Sequence, residues 1–420
     1  MSRIEYKNSG IFWQPFIPKS WHVTRLKYIL KKLSREKGAD DELLVCSNSG
    51  DIRKRGDSRL GLVANSNDIY QGVRSGDLLI HGMDTWHGAI AVSKFDGMCT
   101  PVVHVCDSSQ NKEYVATYLR NMASQQIFKL ISNGVRQNTS DFRSWDKLSR
   151  IPIPLPPLVE QEKIVSYLED KTSKIDEVIL AKEKQIKLLQ ELKDAEIANV
   201  ITRGLNPDVK MKRYDSLLSS ECPEHWCITR NKSFMSLVGE KVGRQSVSYT
   251  LLSLTTKGVI IRDVESGKGK FPKDFDTYQI VQRGELVFCL FDIDETPRTV
   301  GIVETGGMVT GAYTVLRVNE KYAIPEYVYY YYLCVDNIKA LKPYYSGLRK
   351  TVRADKFLQL YIPVPSVEEQ RTIIAYIENK NNKIEALVKN LEAEIAYLKE
   401  YKQKLVADCV IGQINVQCEQ

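Results

Sequence analysis

Ile151-Pro-Ile-Pro-Leu-Pro-Pro157, running directly into Leu158-Val-Glu-Gln-Glu-Lys163, decides how this chain is read, because it occurs twice. Ile362-Pro-Val-Pro-Ser366 followed by Val367-Glu-Glu-Gln-Arg371 is the second copy. Gln161 and Gln370 stand 209 positions apart, and at that offset Ile164 meets Ile373, Tyr167 meets Tyr376 and Glu169 meets Glu378. Lys174 with Lys383, Ile175 with Ile384, Glu183 with Glu392 and Ile186 with Ile395 continue the match without a gap. Leu189 with Leu398, Glu191 with Glu400 and Lys193 with Lys402 complete it. The chain is an internal duplication, and both fold and function follow from that.

The duplication reaches upstream of the proline stretch. Ile17-Pro-Lys-Ser-Trp21-His-Val-Thr-Arg25-Leu-Lys27 repeats as Cys222-Pro-Glu-His-Trp226-Cys-Ile-Thr-Arg230-Asn-Lys232. The order is therefore globular unit, helical segment, globular unit, helical segment, with expected ranges 1–150, 151–207, 208–361 and 362–420. Both globular units read as mixed α/β. Asp77-Leu-Leu-Ile80, Gly88-Ala-Ile-Ala-Val92 and Pro101-Val-Val-His-Val-Cys106 are strand-like runs in the first. Glu285-Leu-Val-Phe-Cys-Leu290, Val300-Gly-Ile-Val303 and Tyr313-Thr-Val-Leu-Arg-Val318 are their counterparts in the second. Tyr327-Val-Tyr-Tyr-Tyr-Tyr332, just after Ile324-Pro325, reads as a helix packed on the sheet rather than a platform for bases.

The helical segments carry a seven-residue repeat. Ile377, Ile384, Leu391, Leu398 and Leu405 form an unbroken column, widened by Leu387, Val388 and Ile395. The first copy has Leu168, Ile175 and Leu189 in that column; Lys182 and Glu196 interrupt it, and Val178, Ile179, Ile186 and Leu192 lie alongside. Sustained heptads specify a coiled coil, and the two interruptions leave its register open in the first copy. Ser366 with Glu369 fits a capping box, and Gly204 and Gly412 stand at the far ends. Each helix should run for about 40 residues, or roughly 60 Å. One chain that contains both can pair them antiparallel, as a rod with an approximate two-fold axis. The fold expected is thus α+β: two mixed α/β domains alternating with two long helices that form an antiparallel coiled coil. Duplex DNA has two-fold axes of its own, so such a molecule suits two half-sites.

Composition narrows the class. With 420 residues, 43% hydrophobic and 26% charged, this is the balance of a globular protein. No apolar run approaches the roughly 20 residues that span a bilayer, and Met1-Ser-Arg-Ile-Glu-Tyr-Lys7 has no apolar signal core, so a cytoplasmic location without membrane contact is expected. Nine scattered cysteines fit a reducing compartment. Cys222-Pro-Glu-His225-Trp-Cys227 has the look of metal ligands, but its counterpart Ile17-Pro-Lys-Ser20-Trp-His22 does not, and no metal is expected. The net charge of +7 is compatible with a polyanion partner without requiring one.

Catalytic signatures are missing. There is no phosphate-binding Gly-x-x-x-x-Gly-Lys-Ser/Thr loop, no Gly-x-Gly-x-x-Gly, no Gly-x-Ser-x-Gly, no His-Glu-x-x-His and no Asn-Pro-Pro-Tyr type tetrapeptide. Asp292-Ile-Asp-Glu295 reads as a solvated acidic turn. No catalytic residue is expected in this chain.

Basic residues cluster instead in loops. Arg53-Lys54-Arg55 sits in a Gly/Asp/Ser-rich stretch, and Gly134-Val-Arg136-Gln137-Asn138 forms a second polar loop. Lys268, Lys270 and Arg298 punctuate the second unit, where Gly347-Leu-Arg349-Lys350-Thr-Val-Arg353 matches the Gly134 loop. Arg and Lys in such loops hold phosphates, while Arg, Gln and Asn read base edges. These twelve residues are the candidate DNA contacts.

The doubled Pro-x-Pro…Glu-Gln…Ile motif resembles the specificity subunit of type I restriction–modification systems. The doubled Trp21 and Trp226 segments and the helix ends Val200-Ile-Thr-Arg-Gly-Leu-Asn-Pro207 and Val410-Ile-Gly-Gln-Ile-Asn-Val416 resemble it as well, so the likeness covers the whole chain. It implies two target-recognition domains, each reading half of a bipartite, asymmetric site on double-stranded DNA. It also implies helices that act as spacer and dock two modification (methyltransferase) subunits, which two restriction (motor-nuclease) subunits join. S-adenosylmethionine, ATP and Mg would be used by those partners, and this chain would bind no cofactor. Two other readings stay open on the residues alone: a coiled-coil scaffold with protein-binding heads, and a methyltransferase with fused recognition domains.

Overall fold

The computed structural model describes residues 4–56, 69–132, 142–262, 275–347 and 350–416. It divides into two compact units: Met1–Lys182 with Ala393–Gln420, and Glu183–Glu392. Each unit therefore takes one globular segment together with a part of both long helices.

In the first unit a four-stranded antiparallel sheet runs in the order Leu30–Lys32, Val103–Ser108, Leu78–His81, Ile90–Val92. Leu78 and Ile80 face the helix Lys112–Ser124 and its Tyr114, Tyr118 and Leu119. Leu79 points the other way, to Val103, Val105 and the hairpin residue Leu44. Both faces of the sheet are covered, which is why this strand reads as an unbroken apolar run.

The second unit repeats that order with Met235–Val238, Thr314–Val318, Leu286–Phe288 and Val300–Ile302. Its covering helix, Pro325–Asn337, starts with proline at the first turn and buries Tyr327, Tyr331 and Tyr332 completely. The tyrosine run is core, as its position after Ile324-Pro325 implied.

The proline stretches are strands. Pro152–Leu155 pairs antiparallel with His22–Arg25, and Tyr361–Val364 pairs with Cys227–Arg230. A two-stranded ladder tolerates proline because each strand has an edge that needs no donor. Each stretch thus ties the Trp-containing segment of its unit to the start of a long helix. Gln161 and Gln370, both fully buried, complete the junction. Gln161 accepts from the Asn111 amide at 3.0 Å and donates to the Pro156 carbonyl at 2.9 Å. Gln370 accepts from the Ile324 amide at 2.8 Å and donates to the carbonyls of Pro365 (2.9 Å) and Tyr322 (3.1 Å).

The long helices span Leu158–Arg203 (46 residues) and Val367–Val410 (44 residues), several more than the heptad pattern suggested. Ser366 caps the second, its hydroxyl accepting from the Glu369 amide at 3.2 Å. The capping box is only half formed. The Glu369 carboxylate turns instead to the indole N–H of Trp226 at 3.0 Å and to His225 at 2.9 Å. Glu160 receives Trp21 in the same way at 3.0 Å. At the other end Gly204 (φ +74°) and Gly412 (φ +78°) take the left-handed conformation that stops a helix. A Cβ on Gly412 would stand 2.6 Å from Pro18 and 3.1 Å from Trp21, so the close approach also requires glycine.

Side-chain burial corrects the seam. Between Leu168 and Glu196 on the first helix the covered or half-covered positions are Leu168, Thr172, Ile175, Ile179, Lys182, Ile186, Leu189, Lys193 and Glu196. Their spacing alternates 4 and 3 without a break, so Lys182 and Glu196 lie on the seam and do not interrupt it. Val178, Leu192 and Leu387, expected to widen the stripe, are 44%, 56% and 51% exposed. On the second helix Ile377, Asn381, Ile384, Val388, Leu391, Ile395, Leu398, Lys402 and Leu405 continue the same alternation.

The seam lysines reach acidic residues of the other helix. In the first unit Lys402 meets Asp176 at 2.6 Å and Lys182 meets Glu394. In the second Lys193 meets Glu385 at 2.8 Å, and Glu196 accepts from the Tyr376 hydroxyl. Within each unit these pairs define an antiparallel register. The 209-residue offset relates Lys193–Glu385 to Lys402–Asp176, so the pairing is part of the duplication. Such half-exposed pairs add about 0–1 kcal/mol each; their effect is to fix register.

Candidate nucleic-acid interface

The first unit presents its basic residues on a hairpin, Leu44–Cys46 paired with Ile52–Lys54. The turn is organised by Asp51, which accepts from Ser49 and from the Arg53 guanidinium, each at 2.6 Å, and from Ser47. Burial alone would raise the Asp51 carboxyl, but the bonds from Ser47, Ser49 and Arg53 outweigh it and hold it down to about 2. Arg53 is thereby oriented by an ionised partner while its side chain stays 68% exposed. Lys54 pairs with Glu42 and remains half exposed. Arg55 follows directly, its amide donating to the Leu43 carbonyl at 2.9 Å. The three cations therefore sit together at the end of one strand.

In the second unit two loops meet. Thr351 bridges both Phe291 and Ser346, and the Asp292 amide donates to the Lys350 carbonyl at 3.2 Å. The Lys350 ammonium lies 3.3 Å from Asp294 and 3.2 Å from Glu295. Hydrogen bonds to Glu295 and Asp294 raise its pKa. The Tyr345 hydroxyl, donating to Asp294 at 2.9 Å, is the main cause that lowers that carboxyl. The Asp292–Glu295 turn, read from sequence as a solvated loop, is in fact the acidic partner of Lys350. Arg353 stands 3.1 Å from Asp355 on the surface. Arg298 is mostly covered, reaching Asn337 at 3.3 Å and lying 3.7 Å from Asp336. Its place is beneath the loop more than in front of it.

Arg136, Gln137, Asn138, Lys268, Lys270 and Arg349 lie outside the described residues. Three ionic residues that sequence reasoning passed over bear on these loops: Arg120, Asp336 and Lys339. For Arg120 and Asp336 the signal was a charge inside an otherwise apolar helical run; Lys339 lies in the turn just after the helix.

Nucleophilic or metal chemistry finds little footing among the described residues. Cys222 is buried, Cys227 is exposed and His225 is engaged by Glu369, so the metal-like cluster does not converge. No three His, Cys, Asp or Glu side chains among the described residues gather as a metal site would need. Burial pushes the Cys46, Cys99, Cys106 and Cys334 thiols up to about 12, far from a reactive thiolate. No described helix is long and apolar enough to cross a membrane.

Set beside known proteins, both halves of the duplication resemble the same domain. The type I restriction modification DNA specificity domain matches residues 88–188 and again 303–397, one match in each half. Each half of the chain is thus similar to that domain over about a hundred residues. It is 24% identical to the putative type I restriction enzyme MjaX specificity subunit of Methanocaldococcus jannaschii over 94% of this chain and 84% of that one. It is 22% identical to the MjaVIII specificity subunit of the same organism, over 95% and 94% respectively. Two solved structures share the fold. One is a chain from work on complex assembly and conformational transition of a type I R-M system, with TM-score 0.67 and 15% identity, covering 95% of this chain and 99% of that chain. The other is the HsdS subunit of Thermoanaerobacter tengcongensis, with TM-score 0.52 and 17% identity, covering 95% and 98%.

Proposed function

We propose that this chain is the non-catalytic DNA-recognition subunit of a type I restriction–modification assembly, acting where the cell keeps its DNA, in the cytoplasm. Each specificity domain reads one half of a bipartite, asymmetric site on double-stranded DNA. The paired helices set the spacing of the half-sites and dock two modification subunits, and two restriction subunits join that core. Methylation with S-adenosylmethionine and ATP- and Mg-dependent cleavage reside in those partners; this chain holds no cofactor. One observation carries the reading. The framework contacts recur in both halves, Gln161 with Gln370, Trp21–Glu160 with Trp226–Glu369, and the same strand order. The described basic elements mounted on that framework, the hairpin of Leu44–Cys46 and Ile52–Lys54 in one half and the Lys350 contacts in the other, differ between the halves, which is what two readers of different sequences require.

The reading is tested by salt. Binding of the chain, assembled with its modification subunits, to duplex containing its site should weaken steeply as salt rises, with a slope of about −0.9 per phosphate neutralised. Arg53→Ala and Lys54→Ala should each flatten that slope by about one contact. A salt-insensitive complex, or none, would favour the scaffold with protein-binding heads.

A further inference from the structure

Each sheet is covered by one helix, and each of these helices carries an ionic side chain that reaches into a neighbouring loop. In Lys112–Ser124 it is the half-buried Arg120. Its guanidinium donates to the Ile90 carbonyl at 3.0 Å, the Gly50 carbonyl at 3.4 Å and the Thr117 hydroxyl at 2.9 Å. In Pro325–Asn337 it is Asp336, which is 3% exposed. Asp336 accepts from the Thr299 amide at 3.0 Å, the Thr299 hydroxyl at 2.6 Å and the Lys339 ammonium at 2.7 Å. Lys339 donates in addition to the Thr296 carbonyl at 2.8 Å.

Neither ion belongs to the shared framework. The two covering helices align through Tyr114 and Tyr327, whose hydroxyls donate to the Val410 and Ile201 carbonyls at 3.2 and 3.4 Å. That alignment puts Leu333 opposite Arg120 and Ala123 opposite Asp336. The ions therefore diverged together with the loops, and each one holds a loop. Gly50 is in the turn of the hairpin that carries Arg53, Lys54 and Arg55. Thr296 and Thr299 belong to the loop whose Asp294 and Glu295 hold Lys350. Reading a base edge requires donors and acceptors placed within a few tenths of an ångström, and a surface loop does not hold that position without support.

We propose that Arg120 and Asp336 are positioning residues for sequence reading. Each fixes, from the covering helix, the loop that presents its unit's DNA-contacting side chains, and touches no DNA itself. The proposal rests on the reading that each unit recognises one half-site.

The test uses the full chain co-expressed with the modification subunits of its own system, with the modified sites mapped across the host DNA. Arg120→Met should relax one half of a two-part motif, and Asp336→Asn the other half. Mismatched sites should gain about ten- to hundred-fold in modification relative to the intact site, the scale of one misread base pair. Arg120→Lys should restore part of the lost discrimination. The salt slope of binding should stay as in the parent, because phosphate contacts remain. Should Asp336→Asn fail to fold, Lys339→Met carries the same test, since it leaves Asp336 with Thr299 and Arg298 and removes the Lys339 bonds to Thr296 and to Asp336. A uniform drop in modification at all sites with an unchanged motif would mean a merely structural role and overturn the proposal. An unchanged motif in all the variants would overturn it too while leaving half-site reading intact. A parent chain that yields no two-part motif would remove the half-site reading and the proposal with it.

Discussion

Lengthening both long helices by one heptad should abolish recognition of the original site and create recognition of one whose halves lie about three base pairs further apart. Seven residues add roughly 10 Å of helix, and one base pair occupies about 3.4 Å. The insertion belongs between Lys182 and Lys193 on the first helix and between Glu385 and Glu394 on the second. There it leaves the Asp176–Lys402 pair of the first unit and the Lys193–Glu385 pair of the second intact. A whole heptad also preserves the 4-and-3 alternation of the seam, so the apolar stripe is not rotated away from its partner. The readout is the gap in the modified motif. An insertion variant that folds, binds and keeps the parental gap would show that the helices do not set the spacing.

Gln370→Leu should destabilise its unit by about 3–5 kcal/mol. Leucine is close in size, so little packing is lost. Three backbone groups, the Ile324 amide and the Pro365 and Tyr322 carbonyls, lose their partner at a fully buried side chain. Each orphaned group costs about 1–3 kcal/mol, partly offset by the apolar surface gained. For a unit of this size that corresponds to a fall of roughly 10 °C in its melting transition. Gln161→Leu should act on the first unit in the same direction, but by less. One of its partners is the Gln110 side chain, at 2.9 Å, which can turn to water instead. Thermal unfolding followed by circular dichroism reads both. A Gln370→Leu transition within about 2 °C of the parent would mean that the glutamine is not the anchor of the strand-to-helix junction.

Much of the architecture was legible because duplication makes a sequence its own alignment. The offset that pairs Gln161 with Gln370 also pairs Lys193 with Lys402, and the structure gives these two lysines equivalent acidic partners, Glu385 and Asp176. The sheet strands were legible from their apolar runs, since burial on both faces leaves no alternation to confuse. The seam was harder to read. Apolar residues marked a stripe, yet Lys182, Lys193 and Lys402 lie on it and Leu192 and Leu387 do not, because a long lysine stem can cover the seam while its head reaches a carboxylate outside. The capping box misled for a similar reason: Glu369 had a buried indole N–H to satisfy, and that claim outweighed the helix start. Least legible were the surroundings of the basic residues. Charge in a loop says nothing of partners, and only the coordinates show Lys350 between two carboxylates, Arg298 turned under its loop, and Arg120 and Asp336 holding loops from the covering helices.

The most direct test of the account is a map of modified bases in the genome of a cell expressing this chain with its modification subunits. Half-site reading by two unlike domains predicts a single motif in two unequal parts, separated by a gap of fixed length in which any sequence is accepted. Exchange of residues 208–361 for those of a relative should change one part and spare the other. A contiguous motif, or modification without sequence preference, would contradict it.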